Sequence, residues 1–146
     1  MLCHTPSLFL QKILVMAQFH TLNIKSVEKV TDHAVAISFE IPESLKANFA
    51  FNAGQYITLK TTINGEEIRR DYSICASKNS GDLIVAVKSV DGGTFSVFAN
   101  TQLKAGNTIE VAEPNGRFVF EPNEAKSRTV AAFAAGSGIT PVLSIA

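Results

Sequence analysis

The 146 residues carry thirteen basic and thirteen acidic side chains, and 46% of them are apolar. A chain of this size buries one sizeable core, which excludes disorder as a class, and zero net charge removes the electrostatic basis for binding along a nucleic acid. Two cysteines, Cys3 and Cys75, are too few for a disulfide framework or a cluster held by four thiolates, and His4, His20 and His33 lack metal-ligand spacing, so no metal is expected.

Met1 to Val15 holds an apolar stretch that Gln11 and Lys12 interrupt. It is too short to span a bilayer and shows no small-residue cleavage pattern, so a cytoplasmic protein without a membrane partner is expected. Residues 1–15 read as an extension outside the fold, with Met16 as a more ordinary start.

Phe19 to Val30 alternates loosely and His33 to Ile41 alternates cleanly, with Val35, Ile37, Phe39 and Ile41 on one face. Two strands are predicted, joined by a turn at Thr31-Asp32 and ended by Pro42, which cannot donate to a ladder. Pro42 to Asn52 is predicted as a loop with room for one helical turn. A third strand opens at Gly54-Gln55-Tyr56 and runs to Ile63, where Asn64-Gly65 predicts a tight hairpin returning from Glu66 to Ile74.

That return strand contains Arg69-Arg70-Asp71-Tyr72-Ser73-Ile74. In extended backbone Arg70 and Tyr72 share a face, about 7 Å apart, and Ser73 takes the other. A flavin dinucleotide needs an aromatic face for its ring, a guanidinium for its pyrophosphate and a donor near the ring nitrogen that changes protonation. An ordinary half-exposed strand can carry the same residues, so only an independent second match discriminates. Tyr56, across the hairpin, is equally consistent with a second ring contact and with core packing.

Asn79-Ser80-Gly81-Asp82 is a turn, and Leu83 to Val90 alternates as a strand that includes Val87 and Lys88. Asp91-Gly92-Gly93-Thr94-Phe95-Ser96 then leads into a short helix over Val97 to Asn100. Glycines at such a turn let amides approach a phosphate, and either Thr94 or Ser96 can cap the helix and bond a phosphate oxygen; a plain turn and cap looks the same. Thr108 to Ala112 is a further strand, followed by a turn at Pro114-Asn115-Gly116. About six short strands, polar turns and one short helix predict an antiparallel barrel over residues 16–122.

Residues 123–146 differ in texture. Thr129 to Ala135 is a continuous apolar run, predicted as a buried parallel strand, and Gly136-Ser137-Gly138-Ile139-Thr140-Pro141 leads into a helix with Pro141 in its first turn. This is the start of a nucleotide-binding βα unit with Pro in place of the third fingerprint Gly. Too few residues follow to complete such a domain, so the chain is expected to be a fragment.

Arg70-x-Tyr72-Ser73-Ile74, Gly92-Gly93-Thr94-Phe95-Ser96 and Gly136-Ser137-Gly138-Ile139-Thr140-Pro141, in this order, resemble the ferredoxin–NADP reductase superfamily. Arg69 to Cys75, with Val87-Lys88 before the glycines, is most similar to its phenylacetyl-CoA epoxidase reductase subfamily. The resemblance implies a mainly β fold, a six-stranded antiparallel Greek-key FAD barrel, followed by an α/β NADPH domain. It places Tyr72 on the isoalloxazine and Ser73 near N5 as the catalytic pair, with Ile74 in the same motif. Arg70, the turn at Gly92, the amides of Gly93, Thr94 and Phe95, and the Ser96 hydroxyl would hold the pyrophosphate. Val87 and Lys88 would face the ring's pyrimidine edge or the phosphates, and Gly136, Gly138, Thr140 and Pro141 the NADPH side. The implied activity is a NAD(P)H-dependent reductase feeding an oxygenase or ferredoxin-type acceptor, with any [2Fe–2S] domain beyond this chain. The competing readings are a non-enzymatic barrel that binds a ligand or protein, and a barrel taking FMN in place of FAD.

Overall fold

The computed structural model describes residues 17–121, 123 and 125–146, so the 1–15 extension lies outside the described residues. Six strands run β1 Phe19–Thr31, β2 Ala34–Glu40, β3 Tyr56–Ile63, β4 Glu66–Ser73, β5 Leu83–Lys88 and β6 Thr108–Ala112. Helix α1 (Thr94–Thr101) separates β5 from β6, and helix α2 (Ile139–Ile145) follows a single 3-10 turn at Gly136–Gly138. The loop after Pro42 holds the expected helical turn, Glu43–Leu45.

All strand pairings are antiparallel, in the order β4-β3-β6-β1-β2-β5. The two outer strands meet at one end, where Ile74 bridges Val85 and the Cys75 N–H donates to the Ile84 carbonyl at 2.9 Å. With that junction β3, β4 and β5 follow one another and β2 lies beyond β5, a Greek-key arrangement. The β3–β4 hairpin turns through Asn64 and Gly65 at φ 53° and 82°, the doubly left-handed geometry that the Asn-Gly pair predicts.

Period-2 alternation sends Val35, Ile37 and Phe39 of β2, Ile57 and Leu59 of β3, and Val85 and Val87 of β5 into one core. Each such side chain, fully buried, contributes about 1.5–3 kcal/mol relative to exposure. The looser alternation of β1 has a cause: its register against β2 shifts between Ile24 and Ser26, which moves the inward face from Ile24 to Val27, and shifts again between Lys29 and Thr31, where the strand from Glu28 onward is exposed. The 42–52 loop is pinned to the barrel through Glu113, whose Oε1 lies 3.0 Å from His20 Nε2 and accepts from Asn48 Nδ2 at 2.7 Å. These two contacts, His20 first, hold the Glu113 carboxyl below the usual range.

The run Thr129 to Ala135 departs from expectation. It forms no strand and lies exposed, with Phe133 96% accessible. A parallel strand needs a neighbour for its amides and a cover on both faces, and nothing among the described residues supplies either. The helix beyond it does form, with Pro141 in its first turn.

Candidate functional site

The hairpin and α1 converge because β4 is one edge of the sheet and α1 packs over β5, its partner at the junction. Between them lies a cavity of about 460 Å³. Arg70, Tyr72 and Ser73 line it from β4, Lys88 from β5, and Gly93, Thr94, Phe95 and Ser96 from the turn into α1. Ser137 and Thr140, from the turn into α2, complete the wall. Asp71 and Ser73 reach it as well as Arg70 and Tyr72, since a cavity at the free rim of an edge strand touches side chains of both faces.

The two neighbouring arginines have different tasks. Arg69 is engaged: its guanidinium binds Glu67 at 2.7 Å and lies over the Phe19 ring. Arg70 donates only to the Arg69 carbonyl, at 2.7 Å, and neither it nor Lys88 has a carboxylate partner among the described residues. Two cations without a carboxylate partner therefore line the cavity against one carboxylate, Asp71, which accepts from Thr58 Oγ1 at 2.6 Å, and this net positive setting attracts an anion.

Opposite them stands the amino terminus of α1. The helix starts at Thr94, so Gly93 is the N-cap residue and no side chain caps it, contrary to the expectation for Thr94 or Ser96. Ser96 sits one turn too far into the helix to cap; its Oγ instead accepts from the Val90 N–H at 3.2 Å, closing the loop and leaving its own proton to donate. The N–H groups of Thr94, Phe95 and Ser96 have no acceptor among the described residues. First-turn amides are orphaned by helix geometry and carry partial positive charge. Gly93 is dictated by space: a Cβ there would run into Ser96 Oγ and lie 2.9 Å from the Val90 carbonyl oxygen.

Tyr72 provides the flat wall. Its ring lies 5.6 Å from that of Phe95, tilted by 35°, and Phe95 is buried beneath it. Burial pushes the Tyr72 phenol up to about 12 against the counter-pull of the Arg70 charge, so the ring is neutral at physiological pH.

Several residues expected to bind FAD or NADPH do not line this cavity. Ile74 and Val87 are fully buried in the core, so their side chains do not reach the cavity; alternation presents Ala86 and Lys88 in place of Val87. Gly92 makes the turn at φ 71° without lining the cavity, and Gly136, Gly138 and Pro141 shape the α2 approach while Ser137 and Thr140 face it. Tyr56 stacks against Gly116 and is not part of the wall. Cys75 is half-buried, with its thiol donating to the Ile84 carbonyl at 3.4 Å and pushed up by burial. Asp71, Ala86, Val90 and Ser137 were not anticipated; two-residue spacing from Lys88 points to Ala86 and Val90.

Among the described residues no helix is long and apolar enough to cross a membrane, and no three potential metal ligands cluster.

Residues 21–120 match the family model described as oxidoreductase FAD-binding domain. The chain is 45% identical over 130 residues to one of the subunits of 1,2-phenylacetyl-CoA epoxidase from Escherichia coli K12, covering 89% of this chain and 36% of that protein. The solved structure of phthalate dioxygenase reductase, titled as a modular structure for electron transfer from pyridine nucleotides to [2Fe–2S], is 29% identical, with a TM-score of 0.70 over 86% of this chain and 38% of that one. The flavohem-like FAD/NAD-binding domain of nitric oxide dioxygenase from Vibrio cholerae shares the fold, with a TM-score of 0.71 at 24% identity over 86% of this chain and 54% of that one. The chain thus spans about a third of the length of its epoxidase relative, 36%. With the barrel, the paired cations and the open helix terminus in place, the match to residues 21–120 identifies this chain as a member of the oxidoreductase FAD-binding domain family.

Proposed function

We propose that this cavity seats FAD, with the pyrophosphate between Arg70 and the α1 amides, the isoalloxazine against Tyr72 and its N5 edge near the Ser73 hydroxyl. The observation that carries this reading is that one cavity is lined both by the Arg70 guanidinium, which has no carboxylate partner among the described residues, and by the amides of Thr94, Phe95 and Ser96, which have no acceptor among them. An anion there satisfies five-donor guanidinium chemistry and an orphaned helix terminus together. Lys88 adds a second positive charge on the β5 side. Ile74 and Val87, being core residues, can contribute only main-chain groups.

Bound flavin supplies the redox chemistry, accepting two electrons and releasing them singly. The chain's own residues bind, orient and shield. Tyr72 covers one face as a neutral ring, and Ser73 offers a hydroxyl at the edge where protonation changes. Ser137 and Thr140, with Gly136, Gly138 and Pro141 shaping their turn, lie where a nicotinamide would approach the other side. We assign the domain to a NAD(P)H-dependent reductase delivering electrons to an oxygenase or ferredoxin-type acceptor, with residues 123–146 leading into its nicotinamide-binding part. The epoxidase and dioxygenase reductase relatives support that assignment.

The test is to add FAD to the purified chain. Binding at micromolar concentration with a yellow, perturbed flavin spectrum is the expected result; a chain that stays colourless returns the barrel to a ligand- or protein-binding module. Acid extraction and chromatography of the bound flavin distinguish FAD from FMN.

A further inference from the structure

Helix α2 is fastened to the barrel by its last turn and presents its first turn to the cavity. Ser144, only 7% exposed, donates its hydroxyl proton to the Ala76 carbonyl at 2.8 Å. Ala76 is a stiff post: it is itself buried, and Cys75 before it donates its N–H to Ile84 of β5. It stands three residues beyond Ser73, at the junction where the two outer strands meet. A second contact lies alongside. Ile145 Cδ1 sits 3.1 Å from where a Cβ on Gly54 would be, and Gly54 is next to Gln55, whose carbonyl accepts the Ile74 N–H at 2.9 Å.

Thr140 is one helical turn before Ser144, and its Oγ1 donates to the Ser137 carbonyl at 2.9 Å, so these two cavity residues move as one unit. Fixing Ser144 to Ala76 therefore fixes the height of the Ser137–Thr140 turn above Tyr72 and Ser73. A buried hydroxyl is well suited to this role, because losing its partner strands a carbonyl away from water.

We propose that Ser144 is a positioning residue, whose hydrogen bond to the Ala76 carbonyl sets the placement of Ser137 and Thr140 over the flavin cavity, with Ile145 on Gly54 as the second fastening. The proposal rests on the FAD reading for what the turn faces, and not for the fastening itself.

The experiment compares the full chain with its Ser144→Ala, Ser144→Thr and Ile145→Ala variants, by amide hydrogen exchange without flavin and by visible circular dichroism with FAD bound. Ser144→Ala is expected to speed exchange over residues 137–143 about tenfold while leaving the β3–β4 hairpin protected. It should alter the dichroism of the bound flavin with FAD affinity held within about threefold, since Arg70 and α1 are untouched. Ser144→Thr, which keeps the hydroxyl, should restore both signals. Unchanged exchange, or faster exchange with unchanged dichroism, would overturn the positioning role. If Ser144→Ala loses hairpin protection, Ile145→Ala decides: the same paired change supports the proposal and no change overturns it. If the unaltered chain takes up no FAD, the functional reading fails by itself while the exchange comparison still judges the fastening.

Discussion

The Tyr72 and Phe95 rings lie 5.6 Å apart although 23 positions separate them in sequence, and this contact brings the hairpin motif and the glycine-turn motif to one site. Phe95 is fully buried and supports Tyr72 from below, so the exposed side of the Tyr72 ring is held at a fixed angle. Tyr72→Ala should weaken FAD binding by about 0.5–1.5 kcal/mol beyond simple loss of area, whereas Tyr72→Phe should bind nearly as well. Titration of each variant with FAD checks this, and equal affinities for all three proteins would remove Tyr72 from the ring site.

The phenol of Tyr72 leads to a prediction about pH. Its ordinary value is 10.0 and the folded value is about 12, raised by burial. A raised value means that the folded chain holds the proton more tightly, so the associated stability is complete below pH 10 and is lost as pH rises through about 12. In a Tyr56→Phe background, phenolate absorbance should therefore appear later than in the denatured chain. Adding Arg70→Ala should delay it further, because the Arg70 charge pulls the value down.

Arg70→Ala should cost FAD binding about 1.5–3 kcal/mol, roughly a tenfold to hundredfold loss, with little change in thermal midpoint. The reason is its position: Arg70 is exposed and its contact within the chain is to a neighbouring carbonyl. Lys88→Ala should lose less, since an ammonium lacks the guanidinium fork. Calorimetric titration and thermal melts of the two variants test the ranking. A large drop in melting temperature for Arg70→Ala would mean that it braces the barrel.

Gly93→Ala should damage binding through backbone geometry. Its φ of −75° is open to alanine, but the new methyl would press on Ser96 Oγ and the Val90 carbonyl. The loop must shift to relieve it, which displaces the amides of Thr94 to Ser96 from a common target. An FAD affinity reduced about tenfold or more, with the melt largely retained, is the expected result. Gly92→Ala, in open space but at positive φ, should show the reverse, a cost in stability with little cost in binding.

Local chemistry determined most of the fold. The Asn64-Gly65 hairpin, the clean alternation of β2 and the break at Pro42 depend on backbone preferences that act within a few residues, so they were legible in the chain itself. The three motifs likewise carried the site's residue types, and the cavity gathers Arg70, Tyr72, Ser73, Lys88 and the 93–96 turn. What depends on partners distant in sequence was decided only by tertiary structure. Whether Val87 or Lys88 faces the cavity depends on which side of β5 meets the core; whether Ser96 caps α1 or closes its loop depends on where the helix begins. The run at Thr129 to Ala135 had the composition of a buried strand, yet a strand exists only where another strand takes its amides, and composition cannot supply that neighbour. The Ser144 bond to Ala76 spans 68 positions, a distance over which no pattern of spacing operates, and only the folded barrel brings its two ends within reach.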